Sequence, residues 1–580
     1  MEEGTLPEKL SEDVDRLRSI LNGRKLTELN LEFLFKQNRT DLQLLNAIKS
    51  APDQRAALSH HGTVMCHAFM QCGTTQDTFI RSNVDWLSKA TNWGKFSAVS
   101  AMGIIHRGHV TQAKTILQSY LPPETPGAPG GSQYSEGGAL YAMGLIHANH
   151  WDQEVQNYLL GQLRGAQNNE VLQHGACLGL GLTCMATANT EVYNELKNTL
   201  FADTAVGGDA AATAIGLVML GSASAQAIDE LHAYAQDTHH EKIIRSCAVA
   251  LAMIMFEREE EADPLIEQLL MDKDPILRYG ACYTIAMAYC GTSANSAIRK
   301  LLHVSVSDVS DDVRRAAVIA LGFVMCNDPE KVPDLVKLLS ESWNMHVRYA
   351  SAIAVGIACC GTASKAAEEI LEPLIEDSVP MVQQGAYIAM SLIYQQASPK
   401  TNEKCGKFRE GLLTKLKSKG TPTMTAQGVM IGHGIIDAGG RNVSAKFHSR
   451  SGILQAGTAV GFCLFTQQWY WYPYVHCLSL AFHPTAMIGL NARLKMPTNF
   501  GVTCESKPSV YGYPEPMKIE EKEKKERVQT AVLSTTKVKK AEDSKKADGD
   551  KTIGGQTAQK GDKSKKQFTI KTSNKFSIIL

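Results

Sequence analysis

The sequence predicts an all-α repeat protein, an α-solenoid of helix-turn-helix units, and three observations predict it. The first is self-similarity. SAVSAMGII, GALYAMGLI, GACLGLGLT, AAATAIGLV, AAVIALGFV and ASAIAVGIA place glycines at Gly103, Gly144, Gly181, Gly216, Gly322 and Gly356. Ala252, Ala286, Ser391 and Gly434 fill the same place in weaker copies, and successive anchors lie 34 to 43 residues apart. The second is punctuation repeated at Gly221, Gly291 and Gly361, as in GTSANSAI. Glycine supplies the left-handed residue that ends one helix, and Thr292 or Ser293 caps the next. The third is an alternation of two kinds of helix within each unit.

One kind is small and apolar nearly all round: Ala176 to Ala188 contains no charge. Such a helix must be covered on both sides. These helices are therefore expected to form an inner layer, whose inner side meets other helices or a tightly closed ring. An interior glycine costs about 1 kcal/mol of helix propensity against alanine, which close packing must offset. The other kind is amphipathic: Ile298, Leu301 and Leu302 alternate with Arg299 and Lys300. An acidic turn such as SDVSDD leads back to the next apolar helix, with Ser310 or Asp311 as its cap.

Along the chain, residues 1–60 read as N-terminal lead-in helices, with Leu17, Ile20 and Leu21 on one stripe. Residues 61–439 carry the repeats, including a degenerate first copy at Gly62–Met70. After Gly439–Gly440 the pattern changes. NVSAKFHS, TAVGFCLFTQ and CLSLAFHPT combine β-branched and aromatic residues with turn signals, which predicts a small β-rich domain over 440–515. FCLFTQQWYWYPY holds seven aromatics. They read either as a core gluing this domain to the repeats or, at Trp469, Tyr470, Trp471 and Tyr472, as a partner surface. Residues 516–580 are Lys/Glu-rich with few apolar side chains and are expected to be disordered.

Charge and composition narrow the function. The 580 residues are 44% hydrophobic and formally neutral. Lys518–Leu580 is net +8 and the remainder net −8, unlike a nucleic-acid-binding core. The 14 cysteines form no C-x-x-C pair, and MEEGTLPEKL is no signal peptide, so they read as reduced intracellular thiols. No apolar run reaches the length of a transmembrane helix. GLGLTC lacks the Lys-Ser/Thr of a phosphate loop and sits inside a helical repeat. His106 and His109, and His147 and His150, have i, i+3 spacing without the further ligands zinc wants. They read as helix-end histidines bonding free carbonyls. Cys359–Cys360 reads as core. No catalytic residue, cofactor site or metal site is assigned.

The alternating G-A-x-x-A-x-G-L and polar helices resemble the proteasome/cyclosome repeat family, over roughly Leu31 to Lys540. The carrying stretches include EGGALYAMGLIHANH, DPILRYGACYTIAMAYCGTSANSAIRKLLHVSVSDVSDDVRRAAVIALGFV, IIDAGGRNVS and FTQQWYWYPYVHCLSLAFHPTAMIGLNARLKMP. The resemblance implies repeats closed into a toroid around central helices. It implies a non-catalytic scaffold in the base of the proteasome regulatory particle, in cytoplasm and nucleus, with ATPase-ring and lid subunits as partners. Nucleic acid and membrane are not among the expected partners. The family carries a longer N-terminal rod and an acidic end that docks a ubiquitin receptor. This chain ends in TIKTSNKFSIIL, so it is expected to be shortened at both ends, with receptor docking not carried over. The alternative reading is a HEAT/armadillo-like adaptor with a peptide or protein cargo in a concave groove.

Overall fold

A computed structural model of the chain describes residues 8–52, 56–123, 131–486, 488–491, 493–496, 507–517 and 577–578. Three helices lead in: α1 (Glu8–Leu21), α2 (Arg24–Lys36) and α3 (Leu42–Ser50). Asp41 caps the third, its carboxylate accepting from the amides of Gln43 and Leu44. The lysine-rich tail expected to be disordered lies, apart from residues 516–517 and 577–578, outside the described residues.

Eleven inner helices follow among the described residues. They are α4 (Ala57–Met70), α5 (Trp93–Ile105), α6 (Gln133–Ile146), α7 (Glu170–Thr183), α8 (Ala205–Val218) and α9 (Glu241–Ile254). The series continues with α10 (Pro275–Ala288), α11 (Asp311–Val324), α12 (Met345–Ala358), α13 (Pro380–Ile393) and α14 (Thr423–Ile436). Each packs along the next, and α14 packs back onto α4, so the ring is closed. The degenerate copy at Gly62–Met70 thus supplies the closing helix. Amphipathic helices such as Gln153–Gly165, Thr190–Phe201 and Asn295–Ser307 lie outside and bury one face on the inner layer.

The turns after the inner helices join one repeat to the next. The Gly291 amide donates to Phe323 O and the Ser293 amide to Val324 O, both at 2.9 Å. Equivalent bonds run from Gly221 and Ala223 to Met253 and Ile254, and from Gly361 and Ala363 to Leu392 and Ile393. The last carbonyls of a helix have no partner inside it, and here the preceding repeat supplies one. Both donors sit in left-handed backbone, Gly291 at φ 73° and Ser293 at φ 53°. The expected cap is correspondingly indirect. Ala294 occupies the N-cap position, and Thr292 Oγ1 accepts from the Ala294 amide at 3.3 Å.

Beyond α14 the chain turns at Gly439 and Gly440 into β1 (Val443–Ala445). It then fills the middle of the ring with α15 (Ala456–Thr466) and two 3₁₀ segments, Gln467–Trp469 and Tyr472–Ala481. It leaves as β2 (Phe482–Pro484), antiparallel to β1 with Val443 opposite Pro484. A second pair joins β3 (Gly489–Leu490) to β4 (Ser577–Ile578). The region expected to be β-rich thus holds a small sheet, but most of its described residues from 456 to 481 are α- or 3₁₀-helical, including TAVGFCLFTQ, expected as strand. From Thr458 to Thr466 this helix is buried. It lies inside a ring and has no wet face, so it lacks the polar periodicity by which a helix is recognised.

Candidate functional site

The seven anchor glycines, Gly103, Gly144, Gly181, Gly216, Gly322, Gly356 and Gly434, all lie on the side of an inner helix that meets the next one. A Cβ on Gly144 would fall 2.4 Å from Gly179 Cα, and one on Gly181 would fall 2.8 Å from Ala214 Cα. The others meet Ala142, Ala250, Ala354, Ala389 and, across the closing seam, Cys66 in the same way. These are contacts with backbone, which cannot rotate aside. The repeat glycine is thus a distance setter between neighbouring helices.

The aromatic run from the plug reaches outward like spokes. Trp469 lies 5.3 Å from the Tyr349 ring and under Arg315, whose Cζ is 4.5 Å from its centroid. Tyr470 carries Arg245 at 3.5 Å on its face, and its hydroxyl accepts from Arg315 at 2.5 Å. Burial raises the Tyr470 phenol pKa. Trp471 meets Trp93 at 4.6 Å and Lys242 at 3.6 Å. Tyr472 meets His61 at 4.8 Å. All four are half-buried and turned to ring helices α4, α5, α9, α11 and α12.

Polar contacts fix the same plug. The Trp471 indole donates to His174 Nε2 at 3.1 Å, while His174 Nδ1 pairs with Val206 O at 2.9 Å. Those two bonds require the neutral tautomer with its proton on Nδ1. Burial lowers the His174 pKa in the same sense. Tyr279 donates to Gln467 Oε1, and Tyr283 to Thr466 Oγ1, both at 2.7 Å. At the end of α14, burial by itself would raise the Asp437 carboxyl. The guanidiniums of Arg409 and Arg441 outweigh it and hold the pKa at about 2.

Sequence reasoning missed His174, Asp209, Lys242, Arg245 and Arg315. Each lies in the first half of an inner helix, and His174, Asp209, Arg245 and Arg315 are each its fifth residue; that shared position was the available signal. The helix-end histidines differ from expectation: His106 Nδ1 and Nε2 are buried without a hydrogen-bond partner, so they bond no carbonyl. Burial lowers the His106 and His147 pKa values to about 4. Cys359 is buried in the core and Cys360 is packed against it. Among the described residues no cluster of three His, Cys, Asp or Glu could hold a metal ion, and no helix is long and apolar enough to cross a membrane.

Comparison with known proteins agrees with this architecture. The proteasome/cyclosome repeat model matches residues 138–172, 175–207 and 210–244. The HEAT repeats model matches 262–356, and that of the 26S proteasome regulatory subunit RPN2 C-terminal domain matches 485–576. The chain is 48% identical to the 26S proteasome non-ATPase regulatory subunit 1 homolog A of Arabidopsis thaliana, over 93% of this chain and 53% of that protein. It is 48% identical to the 26S proteasome non-ATPase regulatory subunit 1 of Drosophila melanogaster, over 98% of this chain and 55% of that protein. It is 45% identical to the 26S proteasome regulatory subunit rpn2 of Schizosaccharomyces pombe, over 92% and 55%. The chain spans about half the length of these relatives. The repeat matches and this identity along nearly all its residues make the chain similar to about half the length of 26S proteasome non-ATPase regulatory subunit 1 (Rpn2) proteins, with proteasome/cyclosome repeats over 138–244.

Proposed function

We propose that the chain is a non-catalytic structural frame in the base of a proteasome regulatory particle. There it holds ATPase, lid and ubiquitin-receptor subunits in fixed relation for ubiquitin-dependent protein degradation, in cytoplasm and nucleus. The observation that carries this reading is a closed ring with a filled middle. Neighbouring helices are locked at backbone contact distance, and the plug is tied by aromatic and polar spokes to helices around the ring. Such a body deforms little, which is what positioning other subunits requires. The relatives are named as non-ATPase regulatory subunits, in keeping with a frame that does no chemistry of its own. We assign the seven anchor glycines to the stiffness of the frame, and Trp469 to Tyr472 to holding the plug. No residue is assigned to receptor docking.

The HEAT repeats match favours the second reading, a cargo adaptor. A groove binder presents polar or aromatic side chains on an open inner face. Here the inner faces meet the plug, which favours the frame. Expressing the tagged full chain in cells and identifying what co-purifies tests the proposal. ATPase and lid subunits are expected together in roughly equal amounts. A chain recovered without any proteasome subunit contradicts incorporation.

A further inference from the structure

One hollow beside the plug is left unfilled by the spokes. Asp209, Thr213, Lys242, Arg245, Tyr470 and Trp471 border a cavity of about 160 Å³. This is well below the roughly 300–1,000 Å³ of cofactor- or drug-sized sites, and suits a single amino-acid residue. Its polar groups are arranged in a particular way. Asp209 is 3% exposed. Its Oδ1 accepts from Ser246 and Tyr474, while its Oδ2 has no partner. Arg245 lies flat on Tyr470, with Nη2 3.6 Å from Asp312 and Nη1 buried without a partner. Lys242 holds its ammonium 3.6 Å from the Trp471 centroid.

Contact with an aromatic face steadies a cation without using its N–H donors. Glu241 also borders the hollow and Asp312 faces Arg245 Nη2, so the lining as a whole is not cationic; what points to an anion is the pair of donors left over, Arg245 Nη1 and the Lys242 ammonium. A buried carboxylate oxygen without a donor favours an N–H beside that anion, because leaving such a group unpaired is costly. A peptide unit carries both features a few ångströms apart. We propose that the hollow receives one carboxylate-bearing residue of a peptide, with its carboxylate on Arg245 and Lys242 and its amide N–H on Asp209 Oδ2. The carboxylate comes either from a chain terminus or from an Asp or Glu side chain. The site does not depend on the frame reading: it is tested on the purified chain alone, so failure to enter proteasomes and failure to bind are separate results.

The experiment is calorimetric titration of the purified full chain with three probes: acetyl-dialanine with a free C-terminus, the neutral amide of the same peptide, and acetyl-alanyl-glutamyl-alanine amide. At least one carboxylate peptide is expected to bind about tenfold or more tightly than the neutral amide. The better of the two names the source of the carboxylate. Lys242→Met and Arg245→Met, which keep an apolar stem, are expected to weaken that peptide by about tenfold each. The comparison among probes uses the unaltered chain and so holds even if a variant folds poorly. Equal binding of acid and amide overturns the proposal, as does the absence of binding at about 10 mM peptide. Free acetate binding as tightly as either acid also overturns it, since the hollow then takes only a simple anion.

Discussion

Gly144 and Gly161 are the same residue type, both inside helices, and their replacement by alanine is expected to have opposite effects. A Cβ on Gly144 meets the Gly179 backbone at 2.4 Å, whereas one on Gly161 meets nothing within 4 Å. Gly144→Ala therefore forces two helices apart and is expected to destabilise by about 1–3 kcal/mol. Gly161→Ala gains helix propensity and is expected to stabilise by up to about 1 kcal/mol. Thermal melting of the two variants checks this, and a shared sign contradicts the anchor geometry. Gly181→Leu belongs with Gly144→Ala and is expected to be more severe. The anchors were legible in the sequence because each recurs at one place in the repeat. Arg245 and Lys242 were not, because cations in the polar first turns of a helix, beside Glu241 and Ser246, give no hint that aromatic rings from a segment more than two hundred residues away will cover them.

At the scale of elements, the end of the last ring helix carries a buried ion cluster. Asp437 follows α14 and is buried between Arg409 and Arg441. Asp437→Asn keeps the shape and removes the charge, leaving two guanidiniums without their counter-charge. Breaking a buried pair in this way costs about 3–5 kcal/mol. Chemical denaturation of the variant is expected to show a loss of that size, and a loss below about 1 kcal/mol would contradict the role of the cluster in holding the end of α14. Element type was legible wherever one face is wet: Ile298, Leu301 and Leu302 marked their outer helix correctly. It was not legible in α15, where Val460, Phe462 and Phe465 have strand-like character and no polar face sets the period. Nor could the sequence show that the turn amides at Gly291 and Ser293 serve the next repeat, since a backbone donor has no side-chain signature.

At the scale of the whole molecule, buried histidines set the acid limit. Burial holds His61 and His67 at about 3, and His433 and His476 at about 4, all below the ordinary 6.5. The unfolded chain takes up protons near pH 6.5 that the folded ring refuses until much lower pH. This contribution to stability is complete above about 6.5 and is lost as pH falls. Each histidine removes about 1.4 kcal/mol per pH unit between its unfolded and folded values. The denaturant midpoint is expected to be highest above pH 7 and to fall steadily from 6.5 to 5. A flat profile over that range contradicts the buried, neutral assignment. The repeat count and the all-round apolar inner layer were readable in advance. What fills the middle, and from which part of the chain, was readable only by family resemblance, because no local pattern encodes enclosure.

The plug has a consequence for how the chain is made. A ribosome delivers all eleven ring helices before residue 456 emerges, so the innermost element arrives last. Until then, the surfaces later covered by Trp469, Tyr470, Trp471 and Phe482 face water. A nascent chain stalled near residue 440 would display a continuous sticky lumen. The interior of the ring is therefore hidden only in a chain translated past this stretch.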